Sequence, residues 1–143
     1  MSLSTCIPVL TALVFAACTA PLERLQPVDP TAAASLVVIR GSAGGRDPLV
    51  VTLDGQAIAA LPGGCYTQLS IQPGPHRLGI GCMAGWGLAW TEHHQLVIAD
   101  PRTTYSFLVT PAPGCARIES LSADAAQDWL ARTAYRPMDG GFQ

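Results

Sequence analysis

The sequence predicts a mainly β fold: a small antiparallel β-sandwich of about seven strands with one C-terminal α-helix. The 143 residues include 14 Gly and 12 Pro, which favours many turns between short strands over a helical bundle. Between those turns apolar and polar residues alternate with a period of two, the pattern of a strand with one buried face. The chain length is that of one domain.

The charge balance argues against one class of partner. All eight basic residues are Arg, and the net charge is −2. Because nucleic-acid binding usually needs a basic surface, no nucleic-acid partner is expected.

The N-terminal stretch predicts export and a membrane anchor. An apolar run over residues 7–17 has the length of a signal-peptide core and is shorter than the roughly 20 residues that span a bilayer. It ends at Cys18, and the sequence FAAC at 15–18 resembles a bacterial lipobox, in which the cysteine is acylated and becomes the N-terminus. It departs from that pattern because Phe15 stands where Leu is usual and no Lys or Arg precedes Arg24.

We therefore expect a lipoprotein signal peptide at 1–17 and a lipidated N-terminus with a flexible, Pro-containing linker at 18–34. Thr19 rather than Asp follows the cysteine, which in the Gram-negative sorting pattern implied by the lipobox places the protein in the outer membrane, facing the periplasm. Two alternatives stay open: an ordinary secretory signal, and an apolar element of a cytosolic domain.

The β-sandwich domain is expected over residues 35–135. Residues 35–40, SLVVIR, read as a buried strand. The alternating stretch 49–53 is followed by Asp54-Gly55, a strong hairpin signal. The predicted hairpin pairs Leu53 with Gln56, Val51 with Ile58, and Leu49 with Ala60.

A second hairpin is predicted around the turn QPGP at 72–75. Its register places Cys65 opposite Cys82 on the apolar face. In an exported protein such a pair is expected to form a disulfide. Two alternatives stay open: both cysteines are buried free thiols, or Cys115 pairs with Cys82 and leaves Cys65 unpaired.

The remaining sequence predicts a Gly-rich loop at 83–91 that carries Trp86 and Trp90, then three further strands at 92–99, 103–110 and 115–121. Ser122 is placed to cap a helix that runs from Ala123 to about Tyr135, with Trp129 and Leu130 facing the core. Residues 136–143 are expected to form a loose tail.

The order of these motifs resembles a known family. It comprises an apolar first strand, the turn LDG at 53–55, the stretch AIAAL at 57–61, a strand with Tyr66, the turn PGPH at 73–76, a strand with Thr104 and Tyr105, and a final strand leading into a short helix. It resembles small bacterial lipoproteins of unknown function whose domain is a β-sandwich of PEGA or transthyretin-like type. The resemblance implies a β-sandwich in which both turns are structural, and it implies no activity.

No catalytic set, metal site or cofactor is expected. His93 and His94 are neighbours on a predicted strand and point to opposite sides, whereas Glu92 and His94 share a face. The first expectation is therefore a non-enzymatic envelope lipoprotein, held at the membrane by its lipid, that binds an envelope protein or peptidoglycan. The alternatives are a secreted metal-binding protein or small hydrolase that uses His94 and Glu92, and a carbohydrate-binding module that uses Trp86 and Trp90.

Overall fold

The structure is a computed structural model and describes residues 28–45, 47–84 and 89–136, without the side chains of residues 84 and 89. The predicted signal peptide, Cys18, Trp86 and the tail beyond residue 136 lie outside the described residues. The predicted β-sandwich with one helix is confirmed. Its elements in the described part of the chain are β1 (Ala34–Arg40), β2 (Leu49–Leu53), β3 (Gln56–Leu61), β4 (Cys65–Ile71), β5 (Gly74–Ala84), β6 (Ala89–Ala99), β7 (Thr104–Ala112), β8 (Cys115–Leu121), α1 (Ala123–Leu130) and β9 (Ala134–Tyr135).

The strands form two sheets. The five-stranded sheet has the order β8-β7-β1-β4-β9, and the four-stranded sheet has the order β3-β2-β5-β6. Neighbouring strands are antiparallel except for the pairs β1–β7 and β4–β9, which are parallel. The main core lies between the sheets and includes side chains from both, among them Leu36, Val38, Leu69, Val109, Val51, Leu61, Leu78 and Ile80.

Strand β1 is buried on both faces, as its uninterrupted apolar sequence predicts. Leu36 and Val38 belong to the core between the sheets, whereas Val37 and Ile39 pack with Ala126 of α1 in a second cluster. The helix covers the outer face of the five-stranded sheet. Its predicted cap is confirmed, because the hydroxyl of Ser122 accepts a hydrogen bond from the backbone N–H of Ala125.

The helix is shorter than predicted. It ends at Leu130, and Ala134–Tyr135 forms β9 beside β4. The backbone N–H of Ala134 donates to the carbonyl of Gly64, and that of Arg136 donates to the carbonyl of Tyr66. The free edge of β4 thus supplies partners for this segment, and tertiary contact overrides the local helical pattern.

The β2–β3 hairpin has the predicted turn, and Leu53 pairs with Gln56. The other two predicted pairs are wrong, because the register shifts by one residue next to Val51. Val51 pairs with Ala59, and Leu49 pairs with Leu61. Because of this bulge, Ile58 is an extra residue in β3 that lies between the paired residues Ala57 and Ala59. Consecutive residues Ile58 and Ala59 are therefore both buried.

The second predicted hairpin is wrong. Strand β4 pairs with β1, and β5 pairs with β2 and β6, so the turn at 72–75 carries the chain from one sheet to the other. The apolar residues of β4 and β5 face each other across the core instead of lying side by side. At this crossover the Asp54 carboxylate lies 2.7 Å from Nδ1 of His76 and accepts a hydrogen bond from the Arg77 backbone N–H at 2.8 Å.

The predicted Cys65–Cys82 disulfide is wrong for the same reason: β4 and β5 are not paired, so the two cysteines are not opposite each other on neighbouring strands. Cys82 is bonded instead to Cys115, the alternative left open by the sequence, with a Cα–Cα distance of 5.4 Å. This bond joins β5 of one sheet to β8 of the other. Cys65 is a free thiol, and it is buried.

Arg40 forms a second link between the sheets. It ends β1 with a side chain that is only 1% exposed, although it carries a charge. Its guanidinium donates to the carbonyl of Leu61 in β3 at 2.8 Å and to the carbonyl of Asp47 at 2.7 Å. It also donates to the carbonyls of Gly44 and Gly45. Burial lowers the pKa of Arg40, and the charge of Asp47 acts in the opposite direction.

We expect Arg40→Met to lower the free energy of unfolding by about 3 kcal/mol, because the variant keeps an apolar stem but leaves several carbonyls without their charged donor. Urea denaturation of the variant and the parent chain measures this. Arg117→Met, at an exposed position, is the matched control and should change stability by less than about 0.5 kcal/mol. If both variants lower the free energy of unfolding by the same amount, the hydrogen bonds of Arg40 do not stabilise the sandwich as stated.

Candidate binding surface on the four-stranded sheet

The predicted Gly-rich loop at 83–91 is mostly strand. Strand β5 continues to Ala84 and β6 begins at Ala89, with Met83 paired to Trp90. Trp90 therefore lies within a regular sheet. The two long strands stay in one unbroken register of eleven pairs, which fixes the relative position of every side chain along them.

The two faces of β6 follow the predicted alternation. Val97 and Ala99 are buried in the core, whereas Leu96 and Ile98 point to the outer face of the sheet and are 64% and 57% exposed. Trp90 is on the same outer face and is half-exposed. Met83 of β5 is also exposed and pairs with Trp90. We use the name apolar patch for the exposed apolar side chains of this face, which are Met83 and Trp90 towards one end and Leu96 and Ile98 towards the other.

Two glycines of β5 make room for the side chains of β6. A Cβ atom at Gly81 would overlap the ring of Trp90, and one at Gly79 would overlap the carboxylate of Glu92 and the hydroxyl of Thr52. The Trp90 ring therefore lies over Gly81, and the Glu92 carboxylate reaches across β5 to β2. There it accepts a hydrogen bond from the Thr52 hydroxyl.

A carboxylate and an imidazole lie within the patch. Nδ1 of His94 is 3.8 Å from Oε1 of Glu92, as expected for two residues on one face of a strand. His93 lies on the opposite face. Within the described ranges, no group of three or more His, Cys, Asp or Glu side chains is arranged to hold a metal ion.

A shallow cleft of about 370 Å³ lies on the other side of β6, where the sandwich opens towards β8. Basic and polar side chains from both strands line it, including His93, Gln95 and Arg117, together with the apolar Pro113 and Ile118. The lining side chains are mostly exposed. The cleft therefore offers a polar, open surface rather than an enclosed ligand cavity.

Three of the predicted site residues, Trp90, Glu92 and His94, lie on one face of β6. The predicted pair Cys65 and Cys82 is separated, because these residues belong to strands that are not neighbours. Thr52, Gly79 and Gly81 were not predicted as part of this face, because their roles depend on which strands are neighbours. The one available signal was the Gly-x-Gly spacing of 79 and 81, which matches the Trp-x-Glu spacing of 90 and 92 when β5 and β6 are paired.

Comparison with protein-family models found no match, and comparison with curated proteins found none either. In the described ranges, no helix has the length and apolar content needed to cross a bilayer.

The contact between Gly81 and Trp90 gives a measurable coupling. We expect Gly81→Ala to destabilise the protein by about 1–3 kcal/mol, because the added methyl group displaces the indole ring. In the double variant with Trp90→Ala most of this loss should be absent, giving a coupling energy of at least about 1 kcal/mol in a double-mutant cycle. The measurement is chemical denaturation followed by circular dichroism.

The control cycle combines Trp90→Ala with Ser70→Ala, an exposed position in the other sheet, and should be additive within about 0.5 kcal/mol. If the Gly81 cycle is equally additive, the ring does not rest on the glycine.

Proposed function

We propose that this chain is a non-enzymatic lipoprotein of the bacterial cell envelope, held at a membrane through Cys18, whose β-sandwich binds or scaffolds other envelope components. The binding surface in this proposal is the outer face of β5 and β6. Orientation towards the periplasm, from the outer membrane, is the part of the proposal that rests on Thr19.

One observation carries the binding role. Residues 96–99, LVIA, are apolar on both faces of β6, yet only the side chains of Val97 and Ala99 are covered in the described structure. Leu96 and Ile98 are left open to solvent on the same face as the half-exposed Trp90. Several exposed apolar side chains on one face, next to polar residues, are typical of an interaction site. Covering the exposed part of Leu96 and of Ile98 would contribute roughly 1–2 kcal/mol each, before the cost of association is subtracted.

The disulfide supports the proposed compartment. Cys82 and Cys115 are bonded across the sandwich, and such bonds persist mainly in exported proteins. Together with the lipobox-like sequence ending at Cys18, this favours the envelope over the cytosol.

A second candidate is a carbohydrate-binding module for glycans such as peptidoglycan. Trp90 favours it, because an exposed indole on a flat sheet can stack on a sugar ring while the Glu92 carboxylate and His94 imidazole accept or donate hydrogen bonds. A metal-binding or hydrolytic role for Glu92 and His94 has the weaker support of a single adjacent pair.

The anchor is tested by mass spectrometry of the protein from the membrane fraction. We expect a mature chain that starts at Cys18 and carries acyl groups, and that loses them in Cys18→Ala. Peptide mapping should find Cys82 and Cys115 resistant to alkylation until reduction, and Cys65 reactive only after unfolding because it is buried. An unprocessed chain with reactive thiols at 82 and 115 would contradict export.

The binding surface is tested with a photo-crosslinking amino acid placed at Leu96. The matched control places it at Gln68, which is exposed on the outer face of the other sheet. We expect adducts with a discrete envelope protein or with peptidoglycan fragments from position 96, and their loss in Trp90→Ala. Adducts of equal yield from positions 68 and 96 would contradict a specific surface on β6.

A further inference from the structure

The chain enters the domain beside the turn between β6 and β7. In this turn the backbone N–H of Arg102 donates to the carbonyl of Ala33 at 3.2 Å, just before β1 begins. The turn directly follows β6. The start of β1 therefore lies at the same end of the sandwich as Leu96 and Ile98. Trp90 is eight residues further along β6, about 26 Å from Ile98.

The proposed anchor limits how far the domain can be from its membrane. Cys18 is ten residues before Val28, the first residue that the structure describes. Even fully extended, ten residues span at most about 35 Å. Because stacked sheets are only about 10 Å apart, the outer face of the four-stranded sheet is within reach of the membrane that holds Cys18. A short connection also gives the domain a high effective concentration at this membrane, so a weak contact is sufficient to hold one face against it.

Two side chains of β5 extend this end of the apolar patch. In the register of the two strands Pro75 pairs with Ile98, and Arg77 pairs with Leu96. All four side chains are exposed on the outer face of the sheet. The guanidinium of Arg77 extends towards Gly55 in the β2–β3 turn, so its charge lies at the border of the apolar side chains. Apolar side chains bordered by basic ones are typical of a surface that binds a lipid bilayer.

The charges at this end suit lipid phosphates. Arg77 and Arg102 are both exposed, and in the ranges that the structure describes neither guanidinium forms an ion pair. The two carboxylates at this end have partners of their own, Asp54 in the imidazole of His76 and Asp100 in the hydroxyl of Tyr105. Two cations without counter-ions are therefore available to the phosphate groups of lipids.

We propose that the domain docks on the membrane that anchors it, with the side chains of Leu96 and Ile98 at the boundary between headgroups and acyl chains. Arg77 and Arg102 then bind lipid phosphates around them. The inference rests on the proposed function, because it needs the anchor at Cys18, and it names the lipid bilayer as the partner of this end of the patch. The end with Trp90 stays free for another envelope component.

The test is fluorescence quenching in the full chain, purified with its acyl groups and reconstituted into vesicles of phosphatidylethanolamine and phosphatidylglycerol. A thiol-reactive fluorophore is attached to Leu96→Cys, and a fraction of the lipids carries a nitroxide quencher on the headgroup. Acylation blocks Cys18, the bond between Cys82 and Cys115 blocks both of these, and Cys65 is buried. The parent chain, treated in the same way, gives the background.

The matched control is Gln68→Cys with the same fluorophore. The amide of Gln68 donates to the hydroxyl of Ser35 at the start of β1, at 3.0 Å, so this position is also near the entry of the chain. It lies on the outer face of the other sheet. We expect quenching at least about threefold greater at position 96 than at position 68, because only a probe in the headgroup region contacts the quencher.

A second pair of variants tests the charges. Arg77→Gln, added to the labelled Leu96→Cys chain, should lower the quenching about twofold, because one cation near the phosphates is lost. Arg117→Gln, at an exposed position on β8, should leave it unchanged. Equal effects of the two substitutions would contradict a role for Arg77 in docking.

Equal quenching at positions 68 and 96, in a chain whose acyl groups mass spectrometry confirms, overturns the docking and leaves the anchor standing. A chain without acyl groups overturns the anchor and the docking together. The vesicles contain no envelope protein, so the protein or glycan partner of the proposed function is tested separately, by crosslinking in the envelope.

Discussion

The double burial of β1 is the constraint around which the sandwich is arranged. Leu36 and Val38 need the four-stranded sheet on one side, while Val37 and Ile39 need α1 on the other. A strand of this kind belongs in the middle of a sheet, and β1 lies between β4 and β7. Its last residue, Arg40, then donates hydrogen bonds across the core to the opposite sheet. The central place of β1 in its sheet, the position of the helix and one of the two cross-sheet links are therefore connected through one strand.

Features encoded by near neighbours in the sequence could be predicted. The Asp54-Gly55 turn, the Ser122 cap and the faces of β6 all depend on residues a few positions apart, and all were predicted correctly. Strand partners could not be predicted in the same way. The alternation of β4 and β5 is satisfied equally well by two strands side by side and by two strands that face each other across a core. Placing Cys65 opposite Cys82 followed from choosing the first arrangement, so both errors have one physical origin.

The outer face of β5 and β6 illustrates the same limit for a candidate site. Gly79 and Gly81 serve as space for the side chains of Trp90 and Glu92, but only once β5 and β6 are known to be neighbours. A glycine in a strand interior is otherwise unfavourable. It raises the backbone entropy of the unfolded chain, and it has no side chain to pack in the folded one. Two of them at alternate positions, each below a large side chain of the next strand, are better explained by the packing of that side chain than by flexibility. The face is therefore a preformed surface.

Strands β6 and β1 have similar apolar sequences but differ in how their two faces are covered. Both strands contain four consecutive apolar residues, LVVI at 36–39 and LVIA at 96–99. In β1 this pattern is matched by two covers, the opposite sheet and α1. In β6 the opposite sheet covers Val97 and Ala99, and nothing in the described structure covers Leu96 and Ile98. Both side chains stay more than half exposed, so folding gains less from them than from a buried apolar residue. The proposed binding role would account for their apolar character, since the patch offers apolar area to a partner.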